Sequence, residues 1–409
     1  MIAKNTRCRL CGSTELALFL DLGDQPPANR YCKKDEWLRQ PEPMYPLRVY
    51  FCNDCNLVQL LDIVSKEEIF SHYLFLSSGA GNTPVHFKEY AKDLQEKFLA
   101  PGDFVVEIGG NDGVLLAELK DVKTLNVEPA KNIAPVARAR GIETIADFWT
   151  ADLARTIKKE YGPAKVILGN NSIPHIDDQI DVTTGVKELL ADDGIYVVQA
   201  HYLGYIFDTL GYGDIYHEHL SYFAIRPLID FYKKFGLNIF DYQFVPWQGV
   251  SIRMFMGPAS RYPQGQNVTA LAEEEIQRGY AQLKTYQDLA QKIERSKNKL
   301  VSTLHDLKSS GARIAAYGAA AKGMPILNYA GITNSLIDFC VDDLPEKQGL
   351  STPLSHLPIV SREEARQYPV DYFLLLAWNF KDFILEKEKE FVAGGGKFIM
   401  PIGDIEVFP

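Results

Sequence analysis

The sequence has 409 residues with 53 acidic and 43 basic side chains, which gives a formal net charge of −10 at pH 7. A chain of this length exceeds the size at which one hydrophobic core keeps growing, so we expect two or three domains. The negative charge would repel a phosphate backbone, so nucleic acid is excluded as an expected partner. No stretch approaches the roughly 18 apolar residues of a membrane span and the N-terminus shows no apolar signal region, so we expect a cytoplasmic protein without a membrane partner.

Four of the six cysteines form two Cys-x-x-Cys pairs near the start of the chain. Each pair presents two thiolates to one ion, and two pairs complete a tetrahedral four-thiolate zinc site with a closed ligand set. Redox dithiols are less favoured, because thioredoxin-like motifs lie inside βαβ patterns and neither pair does. We therefore predict a zinc-binding domain over residues 1–70 with a structural Zn²⁺, and plain buried residues at Cys32 and Cys340. The predicted ligands are Cys8, Cys11, Cys52 and Cys55.

A strand, a glycine turn and a helix mark the second segment, which we assign to residues 71–265. The apolar run 104–108 predicts a strand, residues 109–113 a turn, and residues 114–119 a helix. Further strands are predicted at 124–128, 142–145, 166–168 and 195–198, with helices at 84–99, from 151, and before Gly194. This alternation indicates a mostly parallel sheet with helices on both faces, an α/β fold.

The remaining residues divide into a helical segment and a second α/β region. Residues 266–310 have a continuous helical pattern interrupted only by Gly279, which predicts a bridge rather than a domain. Residues 311–409 open with a new strand and glycine turn at 313–323, and further strands are predicted at 336–342, 372–377 and 397–400. Four strands with intervening helices predict a smaller C-terminal domain.

Acidic residues at the strand ends of the first α/β domain discriminate between cofactors. A dinucleotide needs an unobstructed helix N-terminus for its pyrophosphate, and Asp112 in the glycine turn would repel that group. Glu107, Asp112 and Glu128 suit a cofactor with a sulfonium and an ammonium but no phosphate, which is S-adenosylmethionine. Glu128 is placed to bind the ribose hydroxyls, and Asp147 and Phe148 are placed to contact the adenine.

Two of the eight histidines occur in the run Tyr216-His217-Glu218-His219. Their spacing of two shares a face only on a strand, and the helical His-Glu-x-x-His zinc pattern is absent, which disfavours a metal pair. A solvated polar loop is the other interpretation. Tyrosine, glutamate and histidine together favour proton abstraction from a carbon acid, with histidine as the base because its ordinary pKa is about 6.5.

Further motifs extend over essentially the whole chain. They are Ser77-Ser78 after Tyr73, the Glu-Ile-Gly-x-Asn-Asp-Gly turn, Asn170-Asn171 with His175, Tyr-Gly-Ala-x-Ala-Lys-Gly at 317–323 and Leu376-Ala-Trp-Asn379. With the paired Cys-x-x-Cys and Ile-Tyr-His-Glu-His, they make the sequence resemble the 3-C-methyltransferases of nucleotide-linked 4-keto-deoxysugars, a family of branched-chain sugar biosynthesis. The resemblance implies a class I methyltransferase Rossmann-like domain between the zinc-binding domain and a second Rossmann-like domain. It implies further cofactor contacts at Tyr73, Ser78, Gly109, Asn111 and Asn170.

The resemblance also implies a mechanism. A base removes the proton at C3 of the sugar, which is acidic because C4 is a ketone, and the enolate takes the methyl group of S-adenosylmethionine with inversion. His219 is the implied base, and Tyr216 is its rival or the proton relay to O4. Glu218 orients or polarises the histidine, and His175 lies close to the sugar.

The implied substrate is a TDP- or GDP-linked 4-keto-6-deoxysugar, and the C-terminal domain contributes to its binding. Lys322 is the implied cation for the diphosphate, because the glycine turn around it also supplies backbone amides. The implied substrate contacts are Asn171, Ser251, Arg253, Lys322, Asn328 and Asn379.

Two departures from the family pattern leave the sugar configuration and the carrier open. Residues 248–253 replace the family's Gly-Gly-Ser-Leu-Arg, and residues 198–201 lack its usual acid after the fourth strand. Three alternatives to sugar C-methylation also stay open: O-methylation of a sugar or small molecule, nicotinamide-dependent oxidoreduction, and a non-catalytic nucleotide-binding module. We expect a monomer.

Overall fold

The computed structural model describes residues 2–33, 36–70, 73, 76–79, 81 and 83–409, and its first region is built on a small antiparallel sheet. In this sheet β5 (Val58–Leu60) pairs with β4 (Tyr45–Cys52), and β4 pairs with β2 (Leu16–Gln25). A fourth strand is contributed by Ser221–Tyr222 from far along the chain. The N-terminal sheet is thus completed by a later segment. The elements of this region are β1 (Ile2–Lys4), β2 (Leu16–Gln25), β3 (Cys32–Lys33), α1 (Glu36–Arg39), β4 (Tyr45–Cys52), β5 (Val58–Leu60), β6 (Asp62–Val64) and α2 (Lys66–Phe70).

The central region contains a seven-stranded sheet flanked by helices. Its elements are α3 (Thr83–Phe98), β7 (Phe104–Ile108), β8 (Lys123–Val127), α4 (Ala134–Ala139), β9 (Thr144–Ile145), α5 (Ala151–Tyr161), β10 (Ala164–Asn170), α6 (Gln179–Leu189), β11 (Leu190–His201), α7 (Leu203–Thr209), β12 (Ser221–Tyr222), α8 (Ile225–Lys233), β13 (Leu237–Val245) and β14 (Ser251–Pro258). The strand order is β13-β14-β11-β10-β7-β8-β9, and only β13 and β14 run antiparallel to their neighbours. The carboxyl ends of five parallel strands therefore meet at one edge, where open α/β sheets bind their ligands.

The prediction of a helix over residues 114–119 is wrong, because the structure has only a 3₁₀ turn at Leu116–Glu118. Its hydrogen bonds span three residues, as in Leu119 N–H to the Leu116 carbonyl oxygen. Gly113 and Asp121 both have positive φ, so the backbone turns on each side of this short segment. The chain therefore reaches β8 before a full α-helical turn can propagate.

Two helices follow, α9 (Gln266–Gln277) and α10 (Leu283–Ser309). Gly279 breaks the helical pattern with φ of +81°, and a Cβ there would lie 2.5 Å from Thr285 Oγ1. Helix α10 packs against the N-terminal sheet, since the Tyr286 ring centroid lies 5.2 Å from that of Phe19 and 4.7 Å from that of Phe51. The helical segment thus contacts the cysteine-bearing region.

The C-terminal region contains a six-stranded sheet in the order β18-β16-β15-β19-β20-β21. Its elements are β15 (Ile314–Tyr317), α11 (Gly323–Tyr329), β16 (Cys340–Val341), β17 (Leu350–Ser351), β18 (Ile359–Val360), α12 (Arg362–Ala365), β19 (Tyr372–Leu375), α13 (Lys381–Lys387), α14 (Lys389–Ala393), β20 (Lys397–Ile399) and β21 (Val407–Phe408). Four strands were expected, and the two additional ones are only two residues long, too short for a periodic signal. The predicted strand 336–342 is shorter in the structure, where it covers only Cys340–Val341. Residues 336 and 337 belong to a preceding turn instead.

The N-terminal region also contacts the C-terminal region directly. β3 pairs with β17, the Trp37 ring stacks on His356 at 3.9 Å between centroids, and His356 Nε2 lies 2.7 Å from Glu42 Oε2. The predicted domain boundaries near residues 70, 265 and 310 stay predictions. Within the described ranges, no helix combines the length and the apolar character needed to cross a bilayer.

Candidate active site

The four predicted zinc ligands lie together. All four sulfur atoms are within 4.8 Å of one another, with Cys8 Sγ 3.4 Å from Cys55 Sγ and Cys11 Sγ 3.6 Å from Cys52 Sγ. Zn–S bonds of about 2.3 Å in a tetrahedron separate the sulfurs by roughly 3.8 Å, so the cluster fits one zinc ion. In the described part of the chain no other group of three His, Cys, Asp or Glu side chains is arranged to hold a metal.

The glycine turn after β7 is tightly packed. Gly109 has φ of +67°, and a Cβ there would lie 2.7 Å from Ser172 Cβ. At Gly110 a Cβ would lie 2.6 Å from Asn126 Oδ1. Asn111, at φ of +51°, follows in the same left-handed region. The turn therefore requires small residues and holds the backbone close to the side chains that follow.

Three acidic side chains converge beside this turn. Glu107 Oε1 accepts a hydrogen bond from Asn170 Nδ2 at 2.8 Å, and Glu128 accepts from the backbone N–H groups of Asn111 and Ala130 at 2.9 and 2.8 Å. Burial raises the pKa of Glu107 to about 7, and the Asn170 hydrogen bond opposes that rise. Burial also raises the pKa of Glu128. Three acids at one turn make a site that favours a cationic ligand.

Asp112 has a counter-ion that the sequence did not reveal. Its Oδ2 lies 3.2 Å from Arg140 Nη2 and accepts from the Ser78 backbone N–H at 3.3 Å. The Ser78 hydroxyl accepts a hydrogen bond from the same guanidinium at 2.5 Å. Because part of its charge is paired, Asp112 repels phosphate less than the sequence argument assumed.

The unpartnered atoms of this cluster test which cofactor fits. Glu107 Oε2, Asp112 Oδ1 and Asn170 Oδ1 are buried and have no hydrogen-bond partner among the described residues. All three are acceptors, and a buried acceptor without a donor is costly. An ammonium, a sulfonium and ribose hydroxyls supply positive charge and donors, whereas a pyrophosphate supplies neither. The residues present therefore fit S-adenosylmethionine.

The other predicted cofactor residues lie around this cluster. Tyr73 exchanges two hydrogen bonds with the Asn132 side chain, at 3.0 and 2.7 Å, and its hydroxyl donates to Glu218 Oε2 at 3.1 Å. Asp147 and Phe148 follow the neighbouring strand β9. Asp147 is exposed, and Lys66 Nζ lies 4.1 Å from the centroid of the half-buried Phe148 ring.

His219 lies at the centre of a second cluster. Its ring centroid is 4.0 Å from that of Tyr216, 5.0 Å from that of His175 and 5.2 Å from that of His201. Its Nδ1 lies 2.7 Å from the carbonyl oxygen of Asp214. A carbonyl only accepts, so Nδ1 carries the proton and Nε2 carries the lone pair. Burial, with His175 and His201 nearby, holds the pKa of His219 well below its usual range, so the imidazole is neutral and its Nε2 lone pair is free to accept a proton.

The neighbours of His219 have different protonation preferences. Burial raises the pKa of Tyr216 well above its usual range, so its hydroxyl stays protonated. Burial lowers the pKa of His175 to about 4 and leaves that imidazole neutral. His217 points elsewhere, with Nε2 3.2 Å from the Tyr45 carbonyl oxygen. The cluster thus contains a neutral base and a hydroxyl donor side by side.

The structure corrects the prediction that Glu218 orients His219, because the Glu218 carboxylate bonds to other residues. Its Oε1 accepts from Asn29 Nδ2 at 2.7 Å and its Oε2 from the Tyr73 hydroxyl at 3.1 Å. Burial raises the pKa of Glu218 to about 7, and these two hydrogen bonds oppose the rise. The backbone carbonyl of Asp214 orients the imidazole instead.

Lys322 is also placed differently from the expectation. Its ammonium lies 2.8 Å from Asp214 Oδ1 and donates to the Gln248 carbonyl oxygen at 2.8 Å. The two side chains of this ion pair are 8% and 1% exposed. The cation predicted for a diphosphate is thus engaged within the protein, next to the residue that orients His219.

The remaining predicted substrate residues are dispersed. Ser251 Oγ donates to the Trp247 carbonyl at 3.0 Å, and Asn379 is half-buried in the 3₁₀ helix Trp378–Phe380. Asn171 and Asn328 each keep a buried Oδ1 without a partner among the described residues. These two amides therefore offer open acceptors, whereas Ser251 is satisfied internally.

Arg253 lies beneath helix α3 in a polar group of its own. Its Nε and Nη2 donate to Gln199 Oε1 at 3.0 and 2.8 Å, and its guanidinium carbon lies 3.4 Å from the centroid of the Tyr90 ring. His86 Nε2 lies 3.1 Å from Gln199 Nε2, and its ring stacks on Trp247 at 4.4 Å. No ion pair of Arg253 is found in the part of the chain that the structure describes.

Several residues of the site were missed by sequence reasoning. Asn29 and Asp214 have no local motif that points to Glu218 or His219. Gln199 and His201 were noticed only as a departure from a family pattern, although alternation on β11 puts both on the face that carries Arg253 and Ser251 in the paired strand. His201 Nδ1 is buried without a partner among the described residues, which is a signal that only the folded chain supplies.

Comparisons with known proteins agree with this geometry. Three family models match: "Putative zinc binding domain" over residues 8–70, "Methyltransferase domain" over 86–241 and "C-methyltransferase C-terminal domain" over 246–403. The C-methyltransferase NovU of Streptomyces niveus is 35% identical over 405 residues, which cover 98% of this chain and 96% of that protein.

Solved methyltransferases match a smaller part of the chain. The CcbJ methyltransferase from Streptomyces caelestis is 14% identical and covers 46% of this chain and 100% of its own, with a TM-score of 0.35. Magnesium protoporphyrin IX methyltransferase from Synechocystis with bound SAH is 12% identical and covers 43% and 82%, with a TM-score of 0.34.

The matched families confirm the predicted fold, a class I S-adenosylmethionine methyltransferase Rossmann-like domain preceded by a four-cysteine zinc-binding region. They also confirm the predicted cofactors, S-adenosylmethionine and zinc, and the nicotinamide alternative no longer stands. Because it is 35% identical to a C-methyltransferase over almost its whole length, the chain belongs to the C-methyltransferase family.

Proposed function

We propose that the protein transfers a methyl group from S-adenosylmethionine to C3 of a nucleotide-linked 4-keto-6-deoxysugar. The observation that carries the proposal is the buried, neutral His219, whose Nδ1 faces a carbonyl and whose Nε2 is therefore left as a base. A carbon acid must lose a proton before it can attack the methyl group, so it needs a base of this kind. An acceptor that is already nucleophilic does not need one and could react in an apolar pocket. A ketone at C4 makes the C3 proton removable.

In the cluster centred on His219, each side chain has its own role in the proton transfer. His219 Nε2 takes the proton from C3, and the electron pair of the broken C–H bond moves into the enolate with its charge on O4. Tyr216, whose hydroxyl stays protonated, donates a hydrogen bond to O4 and stabilises that charge. His175, which is neutral and has its ring centroid 5.0 Å from that of His219, would contact the sugar. When bound, S-adenosylmethionine supplies the electrophilic methyl group, which C3 takes with inversion while the sulfur leaves as a neutral thioether.

The acidic cluster beside the glycine turn after β7 would hold the cofactor. Glu107, Asp112 and Asn170 offer their unpartnered oxygens to the amino acid part and its cationic groups. Glu128 binds the ribose hydroxyls, and Asp147 and Phe148 flank the adenine. The remaining cofactor contacts that we propose are Tyr73, Ser78, Gly109 and Asn111.

The nucleotide carrier needs a cation other than Lys322, because that ammonium is paired with Asp214. Arg253 is the alternative, since its buried guanidinium bonds to the neutral Gln199 and lies over Tyr90, and no described carboxylate forms an ion pair with it, although Asp93 acts on it at longer range. A buried cation without a counter-ion is costly, and an anionic substrate would supply one. We propose TDP- or GDP-linked sugars as substrates, with Asn171, Asn328 and Asn379 as further contacts.

The test combines mass spectrometry with hydrogen exchange. The protein is incubated in deuterated water with a TDP- or GDP-linked 4-keto-6-deoxyhexose, with and without S-adenosylmethionine. We expect a gain of one methyl group on carbon with one carrier, and deuterium at C3 when the cofactor is omitted. The variant His219→Asn should lose both signals, and the matched control His305→Asn, at an exposed position on α10, should lose neither.

Methylation of oxygen is the alternative within the methyltransferases. It predicts a methyl group on oxygen by fragmentation and no C3 exchange. Exchange that persists in His219→Asn at the wild-type rate would refute His219 as the base and leave Tyr216 as the candidate.

A further inference from the structure

The segment between the two cysteine pairs reaches into the active site. We call residues 26–33 the strap; it follows β2 and ends in β3, which pairs with β17 of the C-terminal region. Tyr31 of the strap donates its hydroxyl to the Ala319 carbonyl at 2.5 Å. Asn29 lies between the end of β2 and Tyr31, and its Nδ2 donates to Glu218 Oε1 at 2.7 Å. The strap thus presents one amide to the loop that carries His219.

Glu218 depends on few donors. It is 2% exposed, and its described hydrogen bonds come from Asn29 and from the Tyr73 hydroxyl. Among the described residues, the titratable groups that face it are Tyr31 on the strap, Tyr73, and Tyr216 on its own loop; burial raises the pKa of all three phenols, and the charge of Glu218 adds to the rise. Asn29 is therefore the one donor in this set that cannot ionise.

We propose that Asn29 is a positioning residue for methyl transfer, which holds Glu218 Oε1 and so fixes the carboxylate against the Tyr73 hydroxyl. The inference rests on the proposed function, in which Tyr73 contacts the cofactor. A carboxylate held at both oxygens can fix the Tyr73 hydroxyl, and Tyr73 is further fixed by its two hydrogen bonds to Asn132. Without the amide, burial shifts Glu218 towards its protonated form, and a protonated carboxyl can turn and donate instead of accepting.

The direct test is an infrared titration of the Glu218 carboxyl, identified as the band that is lost in Glu218→Gln. In Asn29→Leu the titration midpoint should rise by about one pH unit or more, because a hydrogen bond to the charged form is lost. In Asn29→Asp, which keeps the shape of the side chain, the two carboxyls should titrate in separate steps with the second above the wild-type midpoint. Lys33→Gln, an exposed change at the end of the strap, should leave the midpoint unchanged.

The kinetic readout is the pH dependence of kcat. We expect Asn29→Leu to lose at least tenfold in kcat at pH 7 and to regain part of it towards pH 9, whereas a purely structural role would lower kcat equally at every pH. An unchanged Glu218 midpoint in Asn29→Leu, or a shifted midpoint with an unshifted rate profile, would overturn the proposal. If the wild-type protein methylates neither sugar, the proposed function fails, and the infrared titration still decides the link between Asn29 and Glu218. Should Asn29→Leu fail to fold, Asn29→Asp carries both measurements.

Discussion

The ion pair between Lys322 and Asp214 gives the sharpest prediction about the site. Both side chains are almost fully buried, and their charged atoms are 2.8 Å apart. Lys322→Met keeps the apolar stem and removes the ammonium, which leaves the Asp214 carboxylate buried and unpaired. Removing one partner of a buried pair costs about 3–5 kcal/mol. With about 2–4 °C per kcal/mol for a cooperative unit of 150–250 residues, the melting temperature should fall by roughly 6–20 °C.

A second substitution separates this cost from the loss of packing. In Lys322→Met with Asp214→Asn the charge that was left unpaired is gone, so most of the lost stability should return. The backbone carbonyl that orients His219 is the same in both variants. The quantity to measure is the coupling free energy between the two positions, which is the difference between the stability change of the double variant and the sum of the changes in the single variants. It is not zero when two charges are in contact.

The assay is thermal unfolding of both single variants and the double variant, with Lys292→Met as an exposed lysine control on α10. KM for the nucleotide sugar is measured beside it. If Lys322 serves mainly as a ligand for the diphosphate, Lys322→Met should raise KM without a loss of stability. A decrease below about 1 kcal/mol, or a double variant no more stable than Lys322→Met, would refute the ion-pair reasoning.

Three further predictions concern the acid cluster, the zinc site and Tyr216. The pKa of Glu107 is raised by burial from its ordinary 4.5 to about 7, so the folded state binds the extra proton and stability falls as the pH rises through that window. Glu107→Gln should therefore raise the free energy of unfolding above pH 7 by up to about 3 kcal/mol, measured by urea unfolding at pH 5 and pH 8, while binding of S-adenosylmethionine weakens. Removal of zinc by a chelator should expose residues 214–222 to proteolysis, because β12 pairs with β5 of the N-terminal sheet; equal protection with and without metal would contradict this link. Tyr216→Phe should slow both methyl transfer and C3 exchange without abolishing exchange, since Tyr216 stays protonated and as a donor stabilises the enolate that both reactions share; complete loss of exchange would instead make it the base.

Local patterns were enough to predict the parts of the site that lie close together in sequence. Two Cys-x-x-Cys pairs specify four thiolates of one metal because each knuckle is formed by its own turn, and the fold brings the four sulfurs within 4.8 Å of one another. The glycine turn after β7 could be predicted for a similar reason, since positive φ at Gly109 and Gly113 is a local requirement. The acids at the strand ends follow from the parallel sheet, which collects them at one edge.

Contacts between distant segments could not be predicted in this way. Asn29 and Glu218 are 189 positions apart, and the strap that joins them has no periodicity or motif of its own. The partner of His219 is a backbone carbonyl, which every residue possesses, so the sequence suggested the neighbouring Glu218 instead. Lys322 carried a motif suggestive of phosphate binding, but its ion pair with Asp214 depends on how the C-terminal region packs against the loop.

These long-range contacts tie the loop with the proposed catalytic residues to regions outside the central sheet. The loop that carries Tyr216, Glu218 and His219 lies outside the parallel strands, and a base displaced by about 1 Å can lose roughly a hundredfold in rate. Asn29 and β5 hold the loop from the N-terminal region.

Arg9, next to a zinc ligand, adds a hydrogen bond to the Leu220 carbonyl at 3.2 Å, and Lys322 holds Asp214 from the C-terminal side. A closed four-cysteine set offers zinc no open position for substrate, so we expect the metal to affect the reaction only by folding the sheet that pairs with the proposed catalytic loop. Substitution of a zinc ligand should therefore lower kcat, although no cysteine of the cluster touches the reacting atoms.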